Sequence, residues 1–329
     1  MVNNPHDKLF KKIFSQPEKA AELLRINLQP ALLAHIDLRS LVPLHGSFVD
    51  DSLRERFTDL LFSAQIAERE GFVYLLLEHK SRSDGMTAFQ LARYVMNILS
   101  DYLSKNSGMK VLPAVIPLVV HHGAGQWRAA RRLVELYDLP DELRASVGEY
   151  LLDLGFVMDD ISAESDEDLR SRAMAAQSRL ALWLLKQQMR KGDLVTALPR
   201  AKKLFQEAVA EMERAESGLQ MFVVLLQYIT EVSDAPPDLM DAAFRELEPR
   251  TTEVYMSTAE KLREEGRREA MEGQRGLFLM LLEQRFGPLP DRVSQRVSQA
   301  SASEINAWAR AALTASSLDE IAGLNDEQS

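Results

Sequence analysis

Asp59, Glu78 and Lys80 are the residues of this sequence whose types and spacing could do chemistry. Two acids sit inside apolar segments, Thr58-Asp59-Leu60-Leu61-Phe62 and Leu75-Leu76-Leu77-Glu78. A carboxylate in such surroundings needs a cation, a shared proton or water. If both segments are strands paired antiparallel, Asp59 comes close to Glu78. Two converging carboxylates with open water positions then favour Mg²⁺, with Mn²⁺ as a second option. Strand alternation puts Phe72, Tyr74, Leu76, Glu78 and Lys80 on one face and Val73, Leu75, Leu77 and His79 on the other, so Glu78 and Lys80 project side by side. A lysine there can orient a metal-bound water and stabilise developing negative charge, as phosphodiester hydrolysis requires. The residues themselves imply a metal-assisted hydrolytic site. The competing reading is a structural ion-pair cluster at a sheet edge, where perturbed carboxylates also occur.

The elements that must position these groups are legible from periodicity. Phe57 to Gln65, Phe72 to Lys80 and Val111 to His121 are short and rich in Val, Leu, Ile, Phe or Tyr, and read as strands of one sheet. The polar stretch from Ile66 to Gly71 is short enough for a hairpin. Pro113 and Pro117 suggest an edge position or a bulge for the third strand. From Met86 to Leu103, Leu91, Val95, Ile98, Leu99 and Tyr102 recur at helical spacing, which predicts a helix packed on the sheet. Upstream, Asn3 or Asn4 before Pro5 looks like a helix cap, and a second amphipathic helix follows near residues 17 to 28. Beyond Gln126 the pattern is mainly helical. The clearest segments are Arg170 to Lys191, Arg200 to Ser217 and Gly218 to Val232, the last ended by Ala235-Pro236-Pro237. Gly266, Gly273 and Gly276 punctuate a charged stretch read as a solvated helix or linker, with coiled-coil pairing as a minor option. A last helical module begins at Leu277.

Composition bounds the chemistry. The 329 residues are 46% hydrophobic and 27% charged, ordinary for a globular chain. With Cys 0, no disulfide, thiol nucleophile or cysteine-held metal is possible. No apolar run approaches a membrane span and the N-terminus does not read as a leader, so the expectation is a cytoplasmic protein without membrane contact. The formal net charge of -10 argues against nucleic acid at first. Its distribution weakens the objection: residues 1–130 carry 15 Lys and Arg against 13 Asp and Glu, and the remainder 24 against 36.

The order Asp59, then Glu78-His79-Lys80, resembles the D…(D/E)xK core of the PD-(D/E)xK nucleases. Gln90-Leu91-Ala92-Arg93-Tyr94 is similar to the Q-h-x-x-Y helix of their RecB-like branch. A nearer resemblance is to the bacterial Rpn family of recombination-promoting nucleases, also described as YhgA-like transposases. It is carried by Pro5-His6-Asp7-Lys8-Leu9-Phe10-Lys11, Gly46-Ser47-Phe48-Val49-Asp50-Asp51, Thr58-Asp59-Leu60-Leu61, Leu77-Glu78-His79-Lys80-Ser81 and Ile116-Pro117-Leu118-Val119-Val120-His121-His122-Gly123. Members often have Glu-His-Gln-Ser where this chain has Glu78-His79-Lys80-Ser81, so Lys80 restores the general superfamily pattern. Many have Tyr-His-Gly in place of His121-His122-Gly123. The segment from Leu277 to Leu324, with Arg285-Phe286-Gly287-Pro288-Leu289-Pro290, is similar to a helical module attached to many relatives.

The resemblance implies an α/β fold with a restriction-endonuclease-like core, a central mixed sheet flanked by helices, followed by a mainly α-helical C-terminal half. The expected organisation is a catalytic domain at 1–130, a helical extension at 131–255, a charged helix or linker at 256–276 and a helical module at 277–324. It implies a Mg²⁺-dependent DNA endonuclease, with Asp59 and Glu78 as metal ligands and Lys80 beside them, linked to recombination or mobile elements. Gln90 and Tyr94 could contact the lysine, the metal-bound water or a phosphate, although polar residues commonly flank a helix that covers a sheet. Glu22 could complete the metal shell from the first helical region, as an acid does in some of these nucleases, although an exposed helical glutamate is the commoner case. His121 and His122 end a strand near the same sheet edge, where a structural histidine competes with a phosphate contact. DNA is the partner implied, with homo-oligomerisation through the helical half as a further expectation. The alternative function, from a different class, is a catalytically silent DNA- or protein-binding scaffold that keeps the nuclease fold.

Overall fold

The computed structural model describes residues 4–44, 58–78, 85–188, 194–214 and 216–321. Two compact units are present, Met1–Tyr255 and Met256–Ser329. The first is α/β, built on a five-stranded mixed sheet in the order β1-β2-β3-β4-β5: Ile36–Leu44, Thr58–Ile66, Arg69–Glu78, Ala114–His121 and Val157–Asp160. β1, β2 and β3 are antiparallel neighbours, whereas β3, β4 and β5 run parallel.

Asn4 caps helix α1, Pro5–Phe14, by accepting from the His6 N–H, with Pro5 where no helical N–H is needed. Leu9, Phe10, Ile13 and Phe14 form its buried stripe. Helix α2, Pro17–Asn27, again opens on proline and buries Ala20, Ala21, Leu23 and Leu24. Helix α3, Thr87–Lys105, covers the sheet through Leu91, Tyr94 and Ile98, packed with Leu61, Phe72, Tyr74, Leu76 and Val119. The helices Ala176–Gln188, Lys202–Met212 and Glu216–Val232 pack on one another, and α1 packs against the first and last of them. The segment read as one helix from Arg170 to Lys191 is two, Asp166–Ser171 and Ala176–Gln188.

Two strands escaped the sequence reading. β1 has an irregularity between Asp37 and Val42 and carries Asp37, Arg39 and Pro43, so no clean alternation survives on this edge strand. β5 is four residues long and ends in two aspartates. The edge position or bulge suggested by Pro113 and Pro117 is corrected: Pro117 lies in β4, between β3 and β5. Pairing with β5 begins only at Leu118, so no ladder bond is needed from Pro117 on that side.

The β2–β3 hairpin closes on two residues, Ala67 at φ 49° and Glu68 at φ 61°. Both dihedrals are those of a type I′ turn, whose twist suits a hairpin but which favours Asn-Gly over Ala-Glu. Gly71 follows, where an added Cβ would stand 2.5 Å from Ile66 Cδ1. Replacing Ala67-Glu68 by Asn-Gly is expected to stabilise the first unit by about 1 kcal/mol. An unchanged or lower denaturant midpoint would count against the turn geometry.

The helix Pro249–Phe286 has no break at the glycines that punctuate its sequence. It stops at Gly287, φ 84°, whose N–H donates to the Glu283 carbonyl, and Pro288 forbids continuation. Helices Asp291–Gln299 and Ala302–Thr314 then fold a small core of Phe278, Leu282, Val293, Val297, Ile305 and Trp308. At the start of the latter helix, Ser301 and Glu304 form a capping box. The backbone N–H and hydroxyl of Ser301, with Arg296, pull the Glu304 carboxyl from its usual 4.5 to about 2. Its contribution is therefore complete above pH 4.5 and lost as pH falls toward 2. Thermal midpoints of wild type and Glu304→Gln should converge over that window; a constant gap would assign the effect elsewhere.

Candidate active site

Backbone register brings Asp59 and Glu78 together on one face. Asp59 pairs with Leu76 and Thr58 with Leu77, so Asp59 and Glu78 occupy diagonal positions on adjacent strands. Alternation extends the face formed by Phe72, Tyr74 and Leu76 to position 78, and the face of Leu61 to position 59. This is the side covered by α3, which carries Gln90 and Tyr94. Lys80 and His79 lie outside the described residues.

Tyr94 is 1% exposed and its ring lies 5.6 Å from that of Tyr74, which makes it part of the packing beneath the site. Gln90 is half-buried one turn earlier. Glu22 is engaged elsewhere: its carboxylate takes the Lys19 ammonium at 3.3 Å and the Ala175 N–H at 3.3 Å. Its helix α2 ends at Asn27, which donates to Asp159 at 3.0 Å, on the face of β5 opposite Asp160. Glu22 is not brought to the face of Asp59 and Glu78.

Sequence reasoning missed a row across the parallel strands. Glu78 pairs with His121, and His121 with Asp160, so the C-terminal ends of β3, β4 and β5 align these three residues. Such ends are where open α/β sheets bind their ligands. The segment following β4 is tied to the end of β5. Asp160 accepts from the Trp127 N–H at 2.7 Å and the Ser162 N–H at 3.2 Å, and Gly123 N–H donates to the Ser162 hydroxyl at 2.9 Å. His121 and His122 are both buried. His122 Nδ1 lies 3.3 Å from the Leu185 carbonyl and its ring abuts that of His6, a packed histidine away from solvent. The sequence put His121 near the same sheet edge, but Asp160 was hidden in a strand too short to show periodicity.

Asp59 and Glu78, at diagonal backbone positions on one face in a chain without cysteine, are of the residue type that suits a hard divalent cation. Among the described side chains, no cluster of three or more His, Asp or Glu is arranged to hold a metal ion. Nor is any described helix long and apolar enough to cross a membrane.

A mixed sheet with helices on it, and acidic positions converging at the ends of its strands, defines the class as an α/β protein with a nuclease-like core. The chain matches the family described as "Putative transposase, YhgA-like" over residues 4–217 and belongs to that family. It is 30% identical over 268 residues to recombination-promoting nuclease RpnA of Escherichia coli (strain K12), covering 80% of this chain and 85% of that protein. It is 37% identical to recombination-promoting nuclease RpnD of Escherichia coli O157:H7 over 123 residues, 37% of this chain and 47% of that one. It is also 28% identical over 292 residues to the inactive recombination-promoting nuclease-like protein RpnE of strain K12, covering 87% and 92%. No solved structure matches the chain.

Proposed function

We propose that this protein is a metal-dependent DNA endonuclease that hydrolyses phosphodiester bonds, in recombination or in the movement of mobile elements. The observation that carries the reading is the diagonal register of Asp59 and Glu78 on one face of the sheet. The relatives named as recombination-promoting nucleases support the reaction class and the link to recombination. In this reading Asp59 and Glu78 hold Mg²⁺, or Mn²⁺ in its place, and Lys80 orients the attacking water. In the same reading Gln90, in the first turns of α3, contacts a phosphate, whereas Tyr94 supports the site from below through its packing on Tyr74. When bound, the cation supplies a more acidic water and neutralises charge on the phosphate. The near balance of charge in residues 1–130 suits contact with the DNA backbone better than the acidic remainder does.

A second reading, a silent scaffold that keeps the fold, is favoured by one observation: a relative matched over 92% of its own length is named inactive. Incubating the purified chain with supercoiled plasmid separates the two. Conversion to open circle in Mg²⁺ or Mn²⁺, and none in Ca²⁺ or chelator, is the result expected of the endonuclease. A plasmid left supercoiled under every cation would overturn it in favour of the scaffold.

A further inference from the structure

His121 has a buried lone pair with nothing in the described residues to satisfy it. Its ring is 1% exposed, and its edge stands against Trp127 with centroids 5.1 Å apart. Nε2 lies 3.1 Å from the Gly125 carbonyl oxygen. A carbonyl only accepts, so Nε2 carries a proton, and in the tautomer this selects Nδ1 is the acceptor. That carbonyl is fixed in turn, because the residues on either side of it are tied to the end of β5 through Gly123 to Ser162 and Trp127 to Asp160. The tautomer is therefore set by backbone structure, as it is for histidines whose second nitrogen orients them toward a metal. Nδ1 is buried and makes no hydrogen bond among the described residues. A buried acceptor left in that state is destabilising unless something occupies it.

Position decides what that occupant is. His121 is the register partner of Glu78 on the adjacent parallel strand, and alternation from Val119 puts it on the face shared by positions 59 and 78. We propose that His121 Nδ1 is a nitrogen donor to the divalent cation held by Asp59 and Glu78, forming a mixed carboxylate and imidazole site. The proposal rests on the metal-dependent reading above and gives it a cation preference. Mn²⁺ shares the preference of Mg²⁺ for oxygen ligands but, as a first-row transition metal, takes an imidazole nitrogen more readily, so Mn²⁺ gains more from His121 than Mg²⁺ does.

Mn²⁺ alone, added to the full chain, is the probe. Calorimetry measures affinity, and pulsed electron paramagnetic resonance detects a ¹⁴N nucleus coordinated to bound Mn²⁺. Wild type is expected to give the ¹⁴N signal and to bind Mn²⁺ in a manner abolished by Asp59→Ala. His121→Gln can keep the donor to Gly125 while removing the lone pair at the Nδ1 position; it should lose the ¹⁴N signal and weaken Mn²⁺ binding by roughly tenfold or more. Mg²⁺ affinity should change by less than about threefold in that variant. His121→Asn does the reverse, keeping an acceptor near Nδ1 without the bond to Gly125, and should retain Mn²⁺ affinity better than Gln. A purely structural role for His121 would rank the two variants the other way and leave the wild-type spectrum without ¹⁴N. Binding that depends on Asp59 but lacks ¹⁴N, or keeps it in His121→Gln, overturns the role of His121 alone. Absence of any bound Mn²⁺ overturns the metal-dependent reading with it. The wild-type spectrum decides the matter even if the Asn variant does not fold.

Discussion

Asp59→Ala is expected to lower plasmid nicking in Mg²⁺ by about 100-fold or more, with Glu78→Ala equally severe, because each removes a charged ligand from a site that works as a unit. The double variant should be little worse than either single one, since an interaction lost once cannot be lost again. Lys80→Ala should reduce nicking while leaving cation affinity nearly unchanged, as expected for a group that acts on the water. Folding should respond differently from activity. Asp59 and Glu78 occupy neighbouring positions on one face, so without metal the removal of one acid relieves repulsion and leaves the thermal midpoint unchanged or slightly raised. With excess Mg²⁺ the wild type should gain a stabilisation that the variant does not, by mass action on the folded state. Nicking that survives both Asp59→Ala and Lys80→Ala would trace the activity to another site or to a contaminating nuclease.

The parts of this fold legible in the sequence are those with strong local periodicity. β2, β3 and β4 are each rich in Val, Leu, Ile, Phe or Tyr, α3 carries an apolar stripe at helical spacing, and Asn4-Pro5 announces the first helix by cap chemistry that needs no tertiary context. β1 and β5 were not legible because an edge strand with an irregularity and a four-residue strand owe their conformation to neighbours distant in sequence. Pro117 misled for the same reason, since whether a proline is tolerated depends on which side of the strand is paired and from which residue. In the candidate site, alternation sufficed to group Glu78 with Tyr74 and Leu76. It could not reveal that His121 is the register partner of Glu78, because parallel pairing across 43 residues leaves no local mark. Nor could it show that Glu22 is committed to Lys19 and Ala175, a partner more than a hundred residues away.

The largest expected loss of stability lies behind the site, at Arg172. Its guanidinium grips Asp159 with two bonds, Nη1 to Oδ2 at 2.9 Å and Nη2 to Oδ1 at 2.6 Å, and its Nε donates to Glu164 at 3.0 Å. The side chains of Arg172 and Asp159 are 6% and 1% exposed. Burial opposes the charge on Arg172, but hydrogen bonds and attraction from Asp159 and then Glu164 outweigh it, so the guanidinium is held above its already high pKa. The guanidinium therefore stays charged, and its contribution is kept, as pH rises through the alkaline range. Arg172→Ala would strand the Asp159 carboxylate with Asn27 as its remaining donor, a loss of about 3–5 kcal/mol. Arg172→Lys should recover only part of it, since an ammonium cannot reproduce the two-pronged bond. Combining Arg172→Met with Asp159→Leu should recover most of it, because an apolar pair avoids the desolvation that the ions must overcome. A denaturant midpoint for Arg172→Ala within about 1 kcal/mol of wild type would refute this assignment. Asp159 precedes Asp160, the residue that fixes Trp127 and with it the segment holding the His121 tautomer. The apolar pair should therefore restore stability and Mn²⁺ affinity together, whereas Arg172→Ala should depress Mn²⁺ affinity even at temperatures where the chain remains folded.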